Sequence, residues 1–388
     1  MIQISDRSKC CGCSACVNVC PKQCIVMRRD REEGFDYPVA NPDICINCGR
    51  CDAVCPMQNP MSEREPLKAL AVRSESHVRT SSSGGVFPAL AEKVIEQGGV
   101  VFGALMGSDH IVCHEEAETM QQVARMCGSK YVQSDLYSTY ADAKDYLEAG
   151  RKVLFSGTPC QIAGLKKFLG GEYEGLLTID TACHGVPSPG LWKMYLDALQ
   201  QRTKTEISSV EFRNKTRSWR RYDFVCKDSS QHECIHTRAE DDPYMALFMQ
   251  DMTLRPSCYD CHARSGRSGS DLTLADLWSV AKSVPELDDD RGVSGVIVNT
   301  EKGDAYISEI ELDFTKEVPP QAVKAENGGF AERITVPEKR EEFFKGLGVA
   351  NVDVYGHLKK YVVRKPLTVR LYRHLRSGLS KLKRRAIR

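Results

Sequence analysis

The sequence predicts an α+β or α/β protein in two unequal parts: a small cysteine-dense module, then a larger mixed α/β domain, with a basic helical tail at the end. Three observations carry this. Ten of the 18 cysteines of the 388-residue chain fall within residues 10–55. From Ala69 onward, short runs rich in β-branched residues alternate with helical patterns. Residues 359–388 hold twelve Lys/Arg and no Asp/Glu, which leaves 41 basic against 52 acidic residues, a balance of −11, in the rest.

With 41% hydrophobic residues and near-equal charge, the chain is a folded protein of two to three domains; disorder, collagen and a small disulfide scaffold are excluded. So much chain buries a core without covalent staples, and the cysteines therefore need a chemical explanation. Cys10 is reached without an apolar h-region, so no secretory signal is expected and the protein reads as cytoplasmic. The longest apolar stretch, Val100 to Met106, is far short of the roughly 18–20 residues of a membrane span. In a reducing compartment, dense Cys-x2-Cys spacing reads as metal ligation before disulfides.

Cys10, Cys13, Cys16 and Cys20 followed by Pro21 spell C-x2-C-x2-C-x3-C-P, and Cys45, Cys48, Cys51 and Cys55 followed by Pro56 spell it again. In this pattern three closely spaced thiolates wrap one 4Fe-4S cube while the fourth ligates the other cluster. The expected sets are Cys10, Cys13, Cys16 and Cys55 for cluster one, and Cys45, Cys48, Cys51 and Cys20 for cluster two. The doubled run resembles a bacterial two-cluster ferredoxin over residues 1–60. Four-cysteine zinc sites are the competing reading. Cys11 and Cys24 fall outside the pattern and are expected to be packed thiols.

Residues 61–68, polar and ending near Pro66, read as a linker to a domain at 69–330, followed by a C-terminal region at 331–388. Strands are expected at Gly99–Gly103, Lys152–Ser156, Leu176–Asp180, Asp271–Ala275 and Val293–Val298, and helices at 84–97, 119–126, 138–149, 160–169 and 189–201. Ser81 to Gly85 opens the first helix, with small residues and N–H groups suited to a phosphate or to a plain cap. Cys160 and Cys183 each follow the carboxyl end of an expected strand, where open α/β sheets bind ligands. With the Cys258/Cys261 pair they make a set of four, read as a third 4Fe-4S cluster. A zinc site, a nucleophilic Cys160 thiol or four separate core cysteines are the alternatives. Cys113, Cys127, Cys226 and Cys234 are expected to be buried.

Seven short motifs occur in one order: Ser83-Gly84-Gly85-Val86, Gly157-Thr158-Pro159-Cys160-Gln161, Cys183-His184-Gly185-Val186-Pro187-Ser188-Pro189, Phe212-Arg213-x-Lys215, Arg255-Pro256-Ser257-Cys258-x-x-Cys261, Asp271-Leu272-Thr273 and Arg291-Gly292-Val293-Ser294. Over about residues 69–300 they resemble the coenzyme F420 hydrogenase/dehydrogenase beta-subunit family. The resemblance implies an FAD-containing iron–sulfur domain that passes electrons between clusters and a deazaflavin or another reducible small molecule. It implies that Cys160, Cys183, Cys258 and Cys261 hold the flavin-proximal cluster, that Ser82, Ser83, Gly84 and Gly85 line the FAD, and that Lys130 and Tyr131 belong to the flavin pocket. Arg213 and Lys215 suit a pyrophosphate or an anionic reduced flavin, although their spacing alone also fits a surface strand. One departure stands out: Ala275-Asp276-Leu277-Trp278-Ser279 replaces the expected Gly-Asp-x-Trp-Gly.

The function expected is a flavin-dependent iron–sulfur oxidoreductase, loaded by ferredoxin or a redox partner protein and acting on a small-molecule electron acceptor or donor, with His184 and Asp276 as weak candidates for a proton donor. The alternatives are an electron-transfer subunit or adaptor without its own substrate, and a zinc-holding binding protein. The Leu-striped basic residues 359–388 could meet a membrane surface or an acidic partner, or pack on their own domain. They carry no signature of specific nucleic-acid binding, and the sequence is compatible with a homo-oligomer.

Overall fold

The computed structural model describes residues 1–330 and 333–364. The leucine stripe of the tail, and its basic residues from Lys365 on, lie outside them. Among the described residues no helix is long and apolar enough to cross a membrane.

The N-terminal module pairs β1 (Ile25–Arg29) with β2 (Asp36–Ala40) and carries two one-turn helices, Ala15–Asn18 and Arg50–Ala53. The larger part is built on eight strands: β3 (Lys68–Arg73), β4 (Val100–Met106), β5 (Val112–Ala117), β6 (Val153–Gly157), β7 (Leu176–Thr181) and, after a separate antiparallel sheet of β8 (Ser209–Asn214), β9 (Asp223–Lys227) and β10 (Glu233–Arg238), β11 (Leu272–Asp276), β12 (Ser294–Val298) and β13 (Phe314–Val318). The large sheet runs β13-β3-β12-β11-β7-β6-β4-β5. Its centre, β11, β7, β6 and β4, is parallel, and β12, β3, β13 and β5 are added antiparallel. All five expected strands are in this sheet. Central strands such as Val153-Leu154-Phe155 are apolar on both faces because both faces are covered.

The five expected helices are Val86–Glu96, Met120–Met126, Thr139–Glu148, Pro159–Leu169 and Pro189–Thr203, each within two residues of expectation. Their starts follow from capping. Thr119 and Thr158 form capping boxes with Gln122 and Gln161, and Ser188 accepts from the Leu191 amide ahead of Pro189 at the first helical position. One face of the sheet packs on Val86–Glu96 and Met120–Met126, whereas the other packs Thr139–Glu148 and Pro159–Leu169 together with Cys11, Cys13 and Ala15 of the N-terminal module. Helices Pro243–Met249, Arg340–Leu347 and Val354–Tyr361 share one core with Pro189–Thr203 and the small sheet.

Because β3, β4, β6, β7 and β11 all end at the same rim, five connections meet there: 74–85, 107–111, 158–160, 182–184 and 277–279. The antiparallel β12 starts at that rim with Ser294.

Candidate functional site

Each cysteine run folds into the same turn. The residues two and four after the first cysteine have positive φ: Gly12 (71°) and Ser14 (57°) in one run, Asn47 (52°) and Gly49 (73°) in the other. The left-handed steps curl the chain around its own thiols, and a one-turn helix then carries Cys16 or Cys51. One resulting cavity is lined by Cys10, Cys13, Cys16 and Cys55, with Cys11 and the apolar Ile2, Ile4, Met27 and Pro38. The other is lined by Cys20, Cys45, Cys48 and Cys51, with Cys24. The two cavities are alike in being lined by four of the expected cysteines each. The fourth cysteine of each run thus faces the cavity of the other.

Burial, then Cys10, Cys55 and Cys51, pushes the Cys16 thiol up to about 12; burial also raises Cys55. Such a donor set ionises only around a cationic group, which is the chemistry of a thiolate-ligated cluster. The Cys24 Sγ is buried and lies 3.4 Å from Cys20 Sγ, so this packed thiol touches an expected ligand.

Cys160 sits in the first turn of Pro159–Leu169 after β6, Cys183 follows β7, and Cys258 ends a short 3-10 turn, Pro256–Cys258, that leads to Cys261. Burial comes first in raising Cys183, Cys258 (to about 12) and Cys261 (to about 11), and each also feels the others or Cys160. The four expected cysteines therefore form one group at the sheet's rim. Among the described residues no three Cys, His, Asp or Glu side chains close around a single metal ion. Cys11 packs in one apolar cluster with Cys13 and Cys160, and it joins this group to the N-terminal module. Its doubled-cysteine position next to Cys10 is a visible signal in the sequence without a visible meaning.

The residues expected at a flavin also converge. Ser129 donates through its amide and hydroxyl to Ser82 Oγ (2.7 and 2.9 Å), which brings the 128–131 loop onto the 81–85 loop. Ser83 donates to the Val293 carbonyl, Ser294 accepts from the Gly84 amide, and Lys215 Nζ reaches the Ser83 carbonyl at 2.8 Å. Burial, then repulsion by Arg213, lowers Lys215 to about 8. Tyr131 packs on Phe248 (4.7 Å between centroids), which in turn meets the edge of His184 (5.6 Å) beside Cys183. Arg213 is paired with Asp276 at 2.8 Å and lies over Tyr222.

Two atoms of this patch, Ser81 Oγ and Arg213 Nε, are buried without a partner, which fits a polar ligand group. The glycines and Lys130 are explained by the chain itself. A Cβ on Gly84 would lie 2.4 Å from the Val72 carbonyl oxygen, and Lys130 Nζ, lowered to about 8 by burial, donates to the carbonyls of Arg125, Met126 and Cys127.

Asp276 is held by Arg213 and also accepts from Trp219 Nε1, so it is fixed as a carboxylate partner. His184 Nε2 is 2.5 Å from Asp251 Oδ1. At the departure from the family pattern, β11 continues unbroken through Ala275, and Ser279 Oγ donates to the Ala322 carbonyl. Two residues to which the sequence assigns no role are Arg255 and Gln133. Arg255 precedes the Pro-Ser-Cys motif and donates to the Cys10 carbonyl and to Gln133 Oε1, and Gln133 donates to the Cys11 carbonyl.

Comparison with known proteins matches both parts of the chain. Residues 150–321 match the family model for the C terminus of the coenzyme F420 hydrogenase/dehydrogenase beta subunit. Two models of 4Fe-4S dicluster domains match residues 9–59 and 37–84. No curated protein matches the chain. Among solved structures, a chain of the F420-reducing [NiFe] hydrogenase complex from Methanosarcina barkeri is similar at 16% identity and a TM-score of 0.44, over 68% of this chain and 85% of that one. The chain thus matches a 4Fe-4S dicluster domain over residues 9–59 and, over residues 150–321, the C-terminal part of the coenzyme F420 hydrogenase/dehydrogenase beta subunit.

Proposed function

We propose that the chain is an iron–sulfur flavoprotein oxidoreductase with three 4Fe-4S clusters and one FAD, linking a redox partner or ferredoxin to a small reducible molecule, either deazaflavin coenzyme F420 or another acceptor. Its parts are the two-cluster module at 1–60, the linker 61–68 and the domain 69–330, onto which the helices after residue 333 pack. The observation that carries the reading is the single apolar cluster in which Cys11 and Cys13 of the N-terminal module pack with Cys160 of the large domain. It makes the N-terminal module and the rim of the large sheet one continuous thiol-lined path.

When bound, clusters exchange single electrons, and a flavin accepts them singly and releases a pair as hydride. The chain's own residues order the path. Cys48 and its neighbour Ile46 (58% exposed) face solvent, so cluster two is the outer position. Cys10, Cys13, Cys16 and Cys55 are all buried and Cys13 shares an apolar cluster with Cys160, which makes cluster one the middle position and Cys160, Cys183, Cys258 and Cys261 the one beyond it. Ser82, Ser83, Gly84, Gly85, Lys130, Tyr131, Arg213 and Lys215 form the flavin wall, in which Lys130 acts by fixing the 125–130 backbone. His184, held by Asp251, is the better placed proton donor, since Asp276 is committed to Arg213.

The test is anaerobic purification with iron, sulfide, zinc and flavin analysis and an optical spectrum. About twelve iron and one FAD per chain are expected for three cubes and a flavin. About eight iron without flavin would remove the FAD and third-cluster assignments and leave an electron-transfer subunit. A colourless, zinc-loaded protein would refute both.

A further inference from the structure

Arg255 is 1% exposed, and its guanidinium is fully engaged. Nε donates to the Cys10 carbonyl (2.7 Å), one terminal nitrogen to Gln133 Oε1 (2.9 Å), and the other to the Asp36 carbonyl (2.9 Å) and to Cys10 Sγ (3.5 Å). The group lies over the Tyr37 ring at 4.3 Å and the Phe35 ring at 5.3 Å. What it lacks is a carboxylate. Three other buried arginines each have one: Arg73 pairs with Asp289, Arg213 with Asp276 and Arg340 with Glu33. Among the described residues no Asp or Glu carboxylate oxygen pairs with the Arg255 guanidinium within 4.0 Å. Burying a cation without an anion is strongly unfavourable. Among the described residues, the ionisable side chain it hydrogen-bonds is Cys10, and Tyr37, Cys11 and Cys258 also act on its charge.

Resting on the cluster reading above, we infer that Arg255 is the buried counter-cation of cluster one, and that it holds this cluster's reduction potential above that of cluster two. A fixed positive charge that donates a hydrogen bond to a ligand sulfur favours the reduced, more negative cluster. The cations at the cavity of cluster two, Lys22 and Arg50, are exposed, so solvent screens them. The asymmetry directs electrons from the outer position to the middle one. Arg255 comes from the segment that carries Cys258 of the group beyond cluster one, so a single residue sets the potential of the module and fixes it against the domain that receives its electrons. Its role is positioning and tuning.

The experiment is an anaerobic, EPR-monitored redox titration of the full-length protein and of Arg255→Met and Arg255→Lys, each with iron quantified. Arg255→Met removes the charge at similar length. It is expected to lower the potential of cluster one relative to cluster two by at least about 59 mV, the one-electron equivalent of a tenfold change in electron sharing. Arg255→Lys keeps the charge but loses the planar fork that reaches carbonyl and sulfur together. It is expected to shift the same cluster in the same direction by less, and it carries the test should the methionine variant fail to fold. Unchanged cluster potentials at wild-type iron content, in whichever variant assembles, overturn the inference. Failure of the cluster reading would show separately, as wild-type protein without the iron of the N-terminal clusters.

Discussion

At Gly164 the helix Pro159–Leu169 packs tightly against the loop that carries Cys13. A Cβ at this position would lie 2.9 Å from Cys13 Cβ, 3.0 Å from Cys13 Sγ and 3.0 Å from Tyr140 Oη. Ordinary contacts begin near 3.4 Å, so Gly164→Ala forces the loop and the helix apart by about half an ångström. Overpacking costs about 1–3 kcal/mol, and alanine returns about 1 kcal/mol in helix propensity. None of the three contacts is the free end of a flexible chain: Cys13 is short, and Tyr140 is fully buried and donates to the Gln161 carbonyl. The cost therefore falls in the upper half of the range, for a net loss of about 1–2 kcal/mol, or roughly 2–8 °C in melting temperature for a domain of this size. Because Cys13 moves with the wedge, iron content should fall as well. Gly171→Ala, with nothing within 4 Å, is the control and should change neither quantity. A Gly164→Ala protein with full iron and a melting temperature at or above wild type would refute the close packing of Cys13 on this helix.

Three further outcomes are expected. Asp276→Asn leaves the buried Arg213 charge uncompensated and should destabilise the protein by about 3–5 kcal/mol in urea unfolding, with part of the loss recovered by Arg213→Met in the same chain. Asp242, which caps Pro243–Met249 and accepts from Tyr195, is raised to about 6 by burial, above its ordinary value of 3.8. The folded state binds the extra proton between these values, so this group's contribution is full below about pH 4 and is lost as pH rises to about 6. Asp242→Asn keeps the cap, and its stability relative to wild type should rise by on the order of 3 kcal/mol from pH 4 to pH 7; a difference that does not vary with pH would contradict it. Cys11→Ala should keep about twelve iron per chain and slow electron transfer between clusters in rapid-mixing experiments, whereas Cys160→Ala should lose about four iron.

What the sequence makes legible follows from local signals. The central strands are continuous apolar runs, and three of the five expected helices open on Thr-x-x-Gln or Ser-Pro caps, so these can be read without tertiary information. The small sheet β8–β10 cannot. Its strands carry Glu211, Arg213, Lys227, Glu233 and His236, and a polar strand has no alternation to detect until its partners are known. From sequence Arg213 reads as an exposed strand residue or a flavin contact, and only the position of Asp276, 63 residues away, explains its burial. The cysteine runs are legible down to which cysteines line each cavity, because a repeated spacing is itself geometric information. Arg255 and Cys11 are not, since their meaning lies in contacts 245 residues apart or across two cysteine groups.

The contacts between module and domain decide what kind of carrier this is. A ferredoxin on a flexible tether can swing between donor and acceptor, and its surface must then remain polar and separable. Here the module is fastened along several lines. Arg340 makes a two-pronged ion pair with Glu33 at 2.7 and 2.6 Å, Asn18 donates to the Tyr137 carbonyl, Gly190 donates to the Gly34 carbonyl, and Arg255 and Gln133 hold the carbonyls of Cys10 and Cys11. Cys11, Cys13 and Ala15 share an apolar core with Ile162 and Leu165 of the large domain. Detaching the module would expose that core and strand the Arg255 charge at once, so the distance from Cys13 to Cys160 is a property of the fold. Any exchange with a mobile partner then belongs at the opposite end, where Cys48 reaches solvent.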